Sequence, residues 1–338
     1  MRQSVLLIAA VAFTVVCSLT ACSQQPVPVP PVPPVPPSPA AANTVKEPPA
    51  APAAEPQEPL PAFPITVTDS LGRKITINRL PQRIVSLAPS NTEILFALGL
   101  DDRIAGVTDY CDYPEKAKLK QRVAGYMTPD LEKLVTIAPD LVFAESIHEK
   151  TVLPALEKVG LNVIVLSSHT VDEIINNITL VGQVTGRSMA AQRLTQQLSG
   201  RINAITSKTA RLLAAERPRV MYVIWYDPVW TMGGKTYIDD LITKAGGANI
   251  FSTDFEESRI VSPESIVNKN PQVVIVTGMA TSADSIAGNL KQQSWMQSTD
   301  AIKNNRIYKL SDANLIERPG PRIVDGLEEV AALLGTVK

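Results

Sequence analysis

The sequence predicts an α/β protein of two lobes, each built on a mainly parallel sheet, joined by one long helix. Three observations carry that prediction. Short β-rich runs alternate with helix-length runs, the pattern of βαβ units. The stretch Ser188–Glu216 contains one glycine, Gly200, and no proline. A helix–turn–strand segment also occurs twice, as LEKLVTIAPDLVFA from Leu131 and as PESIVNKNPQVVIV from Pro263, an offset of 132 residues.

The elements follow in chain order. Arg2 precedes an apolar run from Val5 to Val16, and Leu19-Thr20-Ala21-Cys22 comes next. A charged residue, a short apolar stretch and small residues before a cut site make residues 1–21 a secretory signal. The run is shorter than the ~20 residues a bilayer-spanning helix needs. The tetrapeptide ending in Cys22 resembles a bacterial lipobox, which implies cleavage before Cys22 and lipidation of its sulfur. Two or three acyl chains anchor stably where one is marginal. Residues 22–64 then form a tether. Of 28 prolines, 16 lie between Pro26 and Pro64, a density that excludes helix and sheet and favours extended polyproline II. Cys17 leaves with the signal and Cys22 carries lipid, so Cys111 is the only remaining thiol. No intrachain disulfide and no cysteine-based metal site can form.

The first lobe spans 65–187. Ile65–Asp69 and Lys74–Ile77 alternate as a hairpin around Leu71-Gly72. Strands are expected near Arg83–Ala88, Arg103–Val107, Leu141–Ala144 and Val163–Leu166, and helices near Thr92–Leu98, Asp130–Ile137, Val152–Val159 and Val171–Val184. The connecting helix is expected over 188–216, its apolar side made by Leu194, Leu198, Ile202, Ile205, Leu212 and Leu213. The second lobe, 217–338, repeats the alternation through Arg219–Ile224, Tyr237–Lys244, Ser265–Asn268, Val273–Thr277, Arg306–Leu310 and Ile323–Leu334. Thr128-Pro129 and Ser262-Pro263 each place a hydroxyl cap before a proline at a helix start. In the repeat Glu132 matches Glu264, Pro139 matches Pro271, and both glutamates sit where the helix dipole favours them.

The chemistry present is that of binding. With 32 basic and 33 acidic side chains the chain lacks the basic excess of a nucleic-acid partner. No nucleophile elbow, phosphate loop, dinucleotide fingerprint or zinc-protease helix occurs. The two histidines, His148 and His169, fall in loop-like stretches and are expected at the surface, with no resident metal or cofactor. Gly233-Gly234 and Gly246-Gly247 read as turns and helix ends. Aromatics, by contrast, collect in loops: Tyr110 and Tyr113 in DYCDYP, Tyr126 in AGYMTP, and Trp225, Tyr226 and Trp230 in IWYDPVW. Residues that follow strands of an open α/β sheet face the ligand crevice, where rings can stack on a flat ligand. Trp295 is assigned to the core.

SLAPSNTEILFALGL from Ser86, GVTDYCDYP from Gly106, DLEKLVTIAPDLV from Asp130 and ERPGPRI from Glu317 resemble the cobalamin-binding proteins of bacterial ABC importers. These belong to the iron-siderophore/cobalamin class of substrate-binding proteins. The resemblance runs in order over about Pro81 to Leu334. It implies a class III fold of two Rossmann-like lobes on one rigid helix. It also implies a monomeric, non-enzymatic capture component outside the cell membrane. The implied partners are a permease dimer and its cytoplasmic ATPase, and the implied ligand is cobalamin or another corrinoid. Carried over position by position, ligand contacts fall on Tyr110, Tyr126 and Trp230, with Asn314–Arg318 opposite and Trp225 and Tyr226 beside Trp230. Asn314 and Arg318 bound that opposing loop. Glu132 and Glu264 fall where the family docks onto its permease. The chain departs from the family at Glu145 and Ser258, where tryptophans are expected, and at Leu315-Ile316 in place of an aromatic pair. Fewer rings leave a ferric siderophore or heme as the alternative ligand. A lipid-anchored α/β enzyme is the alternative from another class.

Overall fold

The computed structural model describes residues 61–123, 125–278 and 283–335. The signal, Cys22 and most of the tether lie outside the described residues. The described chain opens with the antiparallel hairpin β1 (Ile65–Thr68) and β2 (Lys74–Ile77), turned at Gly72 with φ 75°. Buried Asp69 accepts from the backbone N–H groups of Leu71 and Arg73 and from that of Val165, which fastens the hairpin to the first lobe.

The first lobe follows as β3 (Ile84–Ser86), α1 (Pro89–Ala97), β4 (Ile104–Val107), α2 (Leu131–Ile137), β5 (Leu141–Ala144), α3 (Leu153–Lys158), β6 (Val163–Val165) and α4 (Val171–Thr185). Its sheet has the order β4-β3-β5-β6, with every pair parallel. Past α5 (Ser188–Thr209) come β7 (Arg219–Val223), β8 (Trp225–Tyr226), β9 (Val229–Met232), α6 (Tyr237–Lys244), β10 (Ala248–Asn249), β11 (Ser258–Ile260) and α7 (Pro263–Lys269). The chain ends with β12 (Val273–Val276), α8 (Ala283–Gln292), α9 (Asp300–Lys303), β13 (Ile307–Lys309), α10 (Asn314–Glu317) and α11 (Ile323–Leu334). The second parallel sheet has the order β10-β7-β12-β13. Strands β8, β9 and β11 form a separate antiparallel ribbon that the alternation of the sequence did not reveal.

The internal repeat is structural. Helix α2 and strand β5 recur as α7 and β12 at the same offset. Both helices end in a left-handed residue, Ala138 with φ 48° and Asn270 with φ 43°. The buried Pro139 and Pro271 then prevent the helix from continuing. One cap differs from expectation. Ser262 does accept from the Ser265 N–H, but α2 begins two residues after Pro129, capped by the Asp130 carboxylate rather than by Thr128. Gly233-Gly234 is no simple turn either. A Cβ on Gly234 would lie 2.1 Å from the Ser252 carbonyl oxygen and one on Gly233 2.2 Å from that of Phe255, so glycine is required for two backbones to cross.

One apolar cluster runs through both lobes, from Ile84, Leu95 and Leu141 to Val220, Leu241 and Leu327. Two smaller clusters fill the other faces, around Val142 and Leu156 in the first lobe and around Val274 and Met296 in the second; Trp295 packs on the latter, half-buried. Continuous burial across the junction argues for a fixed relation between the lobes. Helix α5 buries Ala191, Leu198, Ile202 and Ile205 and passes Gly200 unbroken. It stops at Thr209, seven residues before Glu216. There the Arg217 guanidinium folds back to donate to the Thr209 carbonyl (3.0 Å), and the Thr209 hydroxyl donates to the Lys244 carbonyl (2.7 Å). Leu212 and Leu213 therefore lie beyond the helix, the latter exposed.

Arg201 ties α5 to α11 through Asp325 (2.5 Å) and Glu328 (2.7 Å). Its hydrogen bond holds the Glu328 carboxyl below the ordinary 4.5. A depressed carboxylate stabilises the fold above its unfolded value and loses that contribution as pH falls through the folded value. Arg201→Ala is expected to cost about 0.5–1 kcal/mol near pH 7, the modest figure reflecting solvent screening of a half-exposed cluster. Urea midpoints should converge with wild type as pH falls through the folded value of Glu328, where that contribution is lost. A gap that persisted in acid would mean that the side-chain stem, not the charge, holds α11.

A second junction contact is buried. Glu93 on α1 receives the Arg322 guanidinium through two bonds, Nε to Oε2 (2.9 Å) and Nη2 to Oε1 (2.7 Å). Arg322 also donates to Asp312 (2.9 Å), and Arg318 stands 3.5 Å from Glu93.

Candidate functional site

Between the lobes lies a cleft of about 1190 Å³. Its position follows from the fold, because lining residues leave the carboxyl ends of the parallel strands. Pro89 and Ser90 come after β3, Tyr110 after β4, Glu145 after β5, and Ser167, Ser168 and His169 after β6. From the second lobe, Met232, Lys235–Tyr237 and Glu257-Ser258 line one side and Asn314, Glu317 and Arg318 another. A smaller hollow of 550 Å³ on the outside of the junction is walled by Phe96, Tyr113, Lys116 and Arg322. It lies apart from these strand ends.

The structure brings Tyr110, Tyr126, Asn314 and Arg318 to one cavity. It leaves Trp225, Tyr226 and Trp230 outside the cavity wall. Trp230 pairs with Trp225 on β8 and with Ile260 on β11, so these three share one face of the ribbon. Met232 and its partner Ser258 lie on that same face, two residues along, and reach the cavity where Trp230 does not. Trp230 remains 42% exposed and Ile260 58%, an apolar apron beside the cleft mouth.

The histidine expectation is half right. His169 is exposed, and its Nδ1 meets the Lys235 carbonyl (3.2 Å) across the lobes. His148 is fully buried. Its Nδ1 accepts from the Glu145 N–H (3.0 Å), which leaves the proton on Nε2 to donate to the Tyr126 carbonyl (2.6 Å). The two rings meet edge-on at 5.4 Å. His148 is therefore the support behind Tyr126 and Glu145. The signal available in the sequence was its place three residues after the polar residue that ends a fully buried strand.

Glu145 accepts from the Ser90 hydroxyl (3.0 Å) and from the Tyr126 hydroxyl. Burial, then the neighbouring Glu145 charge, pushes the Tyr126 phenol well up; burial, then Glu145 and Glu317, does the same to Tyr237. Both phenols are therefore neutral donors at any physiological pH. Arg318 donates to Asp112 (2.6 Å) and toward the Tyr110 carbonyl (3.4 Å), spanning the lobes at the cleft floor. Asn314 is oriented by two bonds to Asp312, each 2.9 Å. The lining holds four acidic side chains, Glu145, Glu149, Glu257 and Glu317, against three basic ones, Lys150, Lys235 and Arg318, so it is not a cation-rich anion trap. Among the described residues no cluster of histidine, cysteine and carboxylate side chains could hold a metal ion.

The family model described as periplasmic binding protein matches residues 84–313. The ABC transporter substrate-binding lipoprotein YvrC of Bacillus subtilis is 30% identical over 277 residues, 80% of this chain and 85% of that protein. The vitamin B12-binding protein of Vibrio cholerae is 30% identical over 255 residues, 75% of this chain and 89% of that one. The crystal structure of the periplasmic vitamin B12 binding protein BtuF of Vibrio cholerae aligns with a TM-score of 0.66 at 29% identity, covering 76% of this chain and 98% of that one. Two parallel-sheet lobes, one crossing helix and a ligand-sized cleft at the strand ends agree with that kinship; the chain belongs to the periplasmic binding protein family, as a substrate-binding component of an ABC importer and not an enzyme.

Proposed function

We propose that the protein captures cobalamin or a related corrinoid in the interlobe cleft, anchored to the membrane through lipid on Cys22, and delivers it to a permease dimer driven by a cytoplasmic ATPase. The carrying observation is the cleft itself. At about 1190 Å³ it exceeds the range of ~300–1,000 Å³ usual for small-ligand pockets. Its near-balanced charge suits a large neutral ligand better than a polyanionic siderophore, and the Vibrio cholerae relative supports the same choice. Tyr110, Tyr126, Asn314 and Arg318 are the proposed contacts, and Glu132 and Glu264 the proposed docking residues.

Calorimetry of the purified protein with cobalamin, cobinamide, heme and a ferric siderophore tests the reading. Corrinoids should bind and the others should not; heme or siderophore binding without a corrinoid response would replace it. Tyr126→Ala should cost about 1–3 kcal/mol of affinity for both corrinoids if its ring is buried against the macrocycle. Trp230→Ala should weaken only cobalamin, whose nucleotide tail is long enough to overhang the cavity onto the ribbon. Equal loss for cobinamide, which lacks that tail, would place Trp230 against the ring itself.

A further inference from the structure

Glu145 is the first polar residue after β5, whose four residues are all buried, so the strand delivers its carboxylate to the cleft edge. The group is fixed from behind and from both sides. Its N–H is held by His148, its Oε1 by the Ser90 hydroxyl and its Oε2 by the Tyr126 hydroxyl. A carboxylate oxygen can accept two hydrogen bonds, so each keeps capacity for another donor. Glu317 lines the cleft from the other lobe, and its Oε1 is buried with no hydrogen-bond partner. The nearby Tyr237 hydroxyl does not serve it, since it donates to the Glu317 backbone carbonyl (3.3 Å). Neither carboxylate has a close ion-pair partner among the described residues, and burial pushes the Glu317 carboxyl up, against a hydrogen bond from Thr277 and the more distant Arg318 charge. Both charges bear on the Tyr237 phenol, which places them around one region of the cleft floor.

The cations nearby are already committed. Arg318 is paired with Asp112 and Lys235 with Glu256, leaving the exposed Lys150 at the rim. A poorly solvated acceptor without a donor is costly, and a ligand that supplies the donor recovers that cost. A ligand carboxylate in the same place would set acceptor against acceptor and add a like charge.

We propose that Glu145 and Glu317, one from each lobe, form an acceptor pair that reads N–H donors on the ligand rim, so that the cleft selects a macrocycle edged with primary carboxamides and rejects the same macrocycle edged with carboxylates. This rests on the corrinoid reading above and names the feature of the corrinoid that is recognised. Glu145 is one of the residues at which the chain departs from its resemblance, a carboxylate where a ring is expected. The departure thus exchanges stacking area for a polar readout.

The test compares two probes that share the cobalt corrin ring, cobinamide with amide side chains and cobyrinic acid with carboxylates. Wild type should bind cobinamide roughly 100-fold more tightly, since a site built to hydrogen-bond a donor strongly rejects an analogue lacking it. In the Glu145→Gln/Glu317→Gln double variant, where each amide can both donate and accept, the gap should fall below roughly tenfold, with the acid gaining. Each single variant should narrow it part-way, and urea midpoints confirm that every variant is folded. Equal wild-type affinity for the two probes, or a full gap retained in the folded double variant, overturns the acceptor pair alone. Heme bound while neither corrin probe binds overturns the corrinoid reading itself, and this inference with it.

Discussion

Glu93→Ala is expected to lower the unfolding free energy by about 3–5 kcal/mol, because it leaves a buried guanidinium without its principal counter-charge. The Glu93 side chain is 2% exposed and that of Arg322 13%, so neither charge can turn to water without moving the junction. Two parallel bonds to one carboxylate are the strongest geometry available to this pair. Burial pushes the Glu93 carboxyl up, against the pull of Arg322 and then Arg318. The pair is thus held together by mutual need more than by net gain. That distinction is testable. Replacing both partners, as Glu93→Leu with Arg322→Met, should restore much of the loss, since no uncompensated charge remains. Arg322 also stacks over the Tyr113 ring at 3.9 Å, a contact that methionine replaces only in part. Urea unfolding of wild type, both single variants and the double variant gives the coupling. A single-variant cost below about 1 kcal/mol would mean the pair behaves like a surface salt bridge and does not lock the lobes.

Much of this architecture was legible because it depends on periodicity and on chain-local chemistry. The runs Tyr237–Lys244 and Ile323–Leu334, picked out in the second lobe's alternation, are helices with those bounds. The repeat was legible because proline and a buried strand of four apolar residues leave the same trace twice. The end of α5 was not, since it is set by Arg217 reaching back from beyond the helix, a contact between residues eight apart that no local pattern encodes. The β8–β9–β11 ribbon was hidden for a similar reason. Two of its strands are only two and three residues long, and its pairing joins Trp230 to Ile260 across 30 positions. In the site, loop aromatics were easy to notice, and Tyr110 and Tyr126 do line the cleft. Glu145 and Glu317 were read as a departure and as part of a motif. Their exposure to one cavity, and the lack of a partner for Glu317 Oε1, exist only once two lobes face each other.

Uptake of ligand should fall roughly a hundredfold in the double variant Glu132→Ala/Glu264→Ala, with ligand affinity unchanged, if close charge pairs across the permease interface carry the coupling that such pairs show elsewhere. The geometry supports a paired role. Both glutamates are exposed in the first turn of short helices that recur in the two lobes, α2 and α7. The Glu264 carboxyl is held below its ordinary range by its own backbone N–H and by Ser262, so it is ionised at neutral pH. A helix dipole accounts for one exposed glutamate at such a position. It does not require the same residue at the same place in both lobes, whereas a two-fold permease presents each contact twice. The flanks differ: beside Glu132, Leu131 and Val135 are 39% and 51% exposed, while α7 offers no comparable apolar pair. The α2 side should therefore retain more residual docking, and Glu132→Ala should be the milder single change. Because both residues are exposed and neither lines the cleft, folding and calorimetric affinity serve as internal controls. Docking to the reconstituted permease should weaken steeply with added salt in wild type and hardly at all in the double variant. Undiminished uptake by a folded, ligand-binding double variant would leave helix-end stabilisation as the whole role of both glutamates.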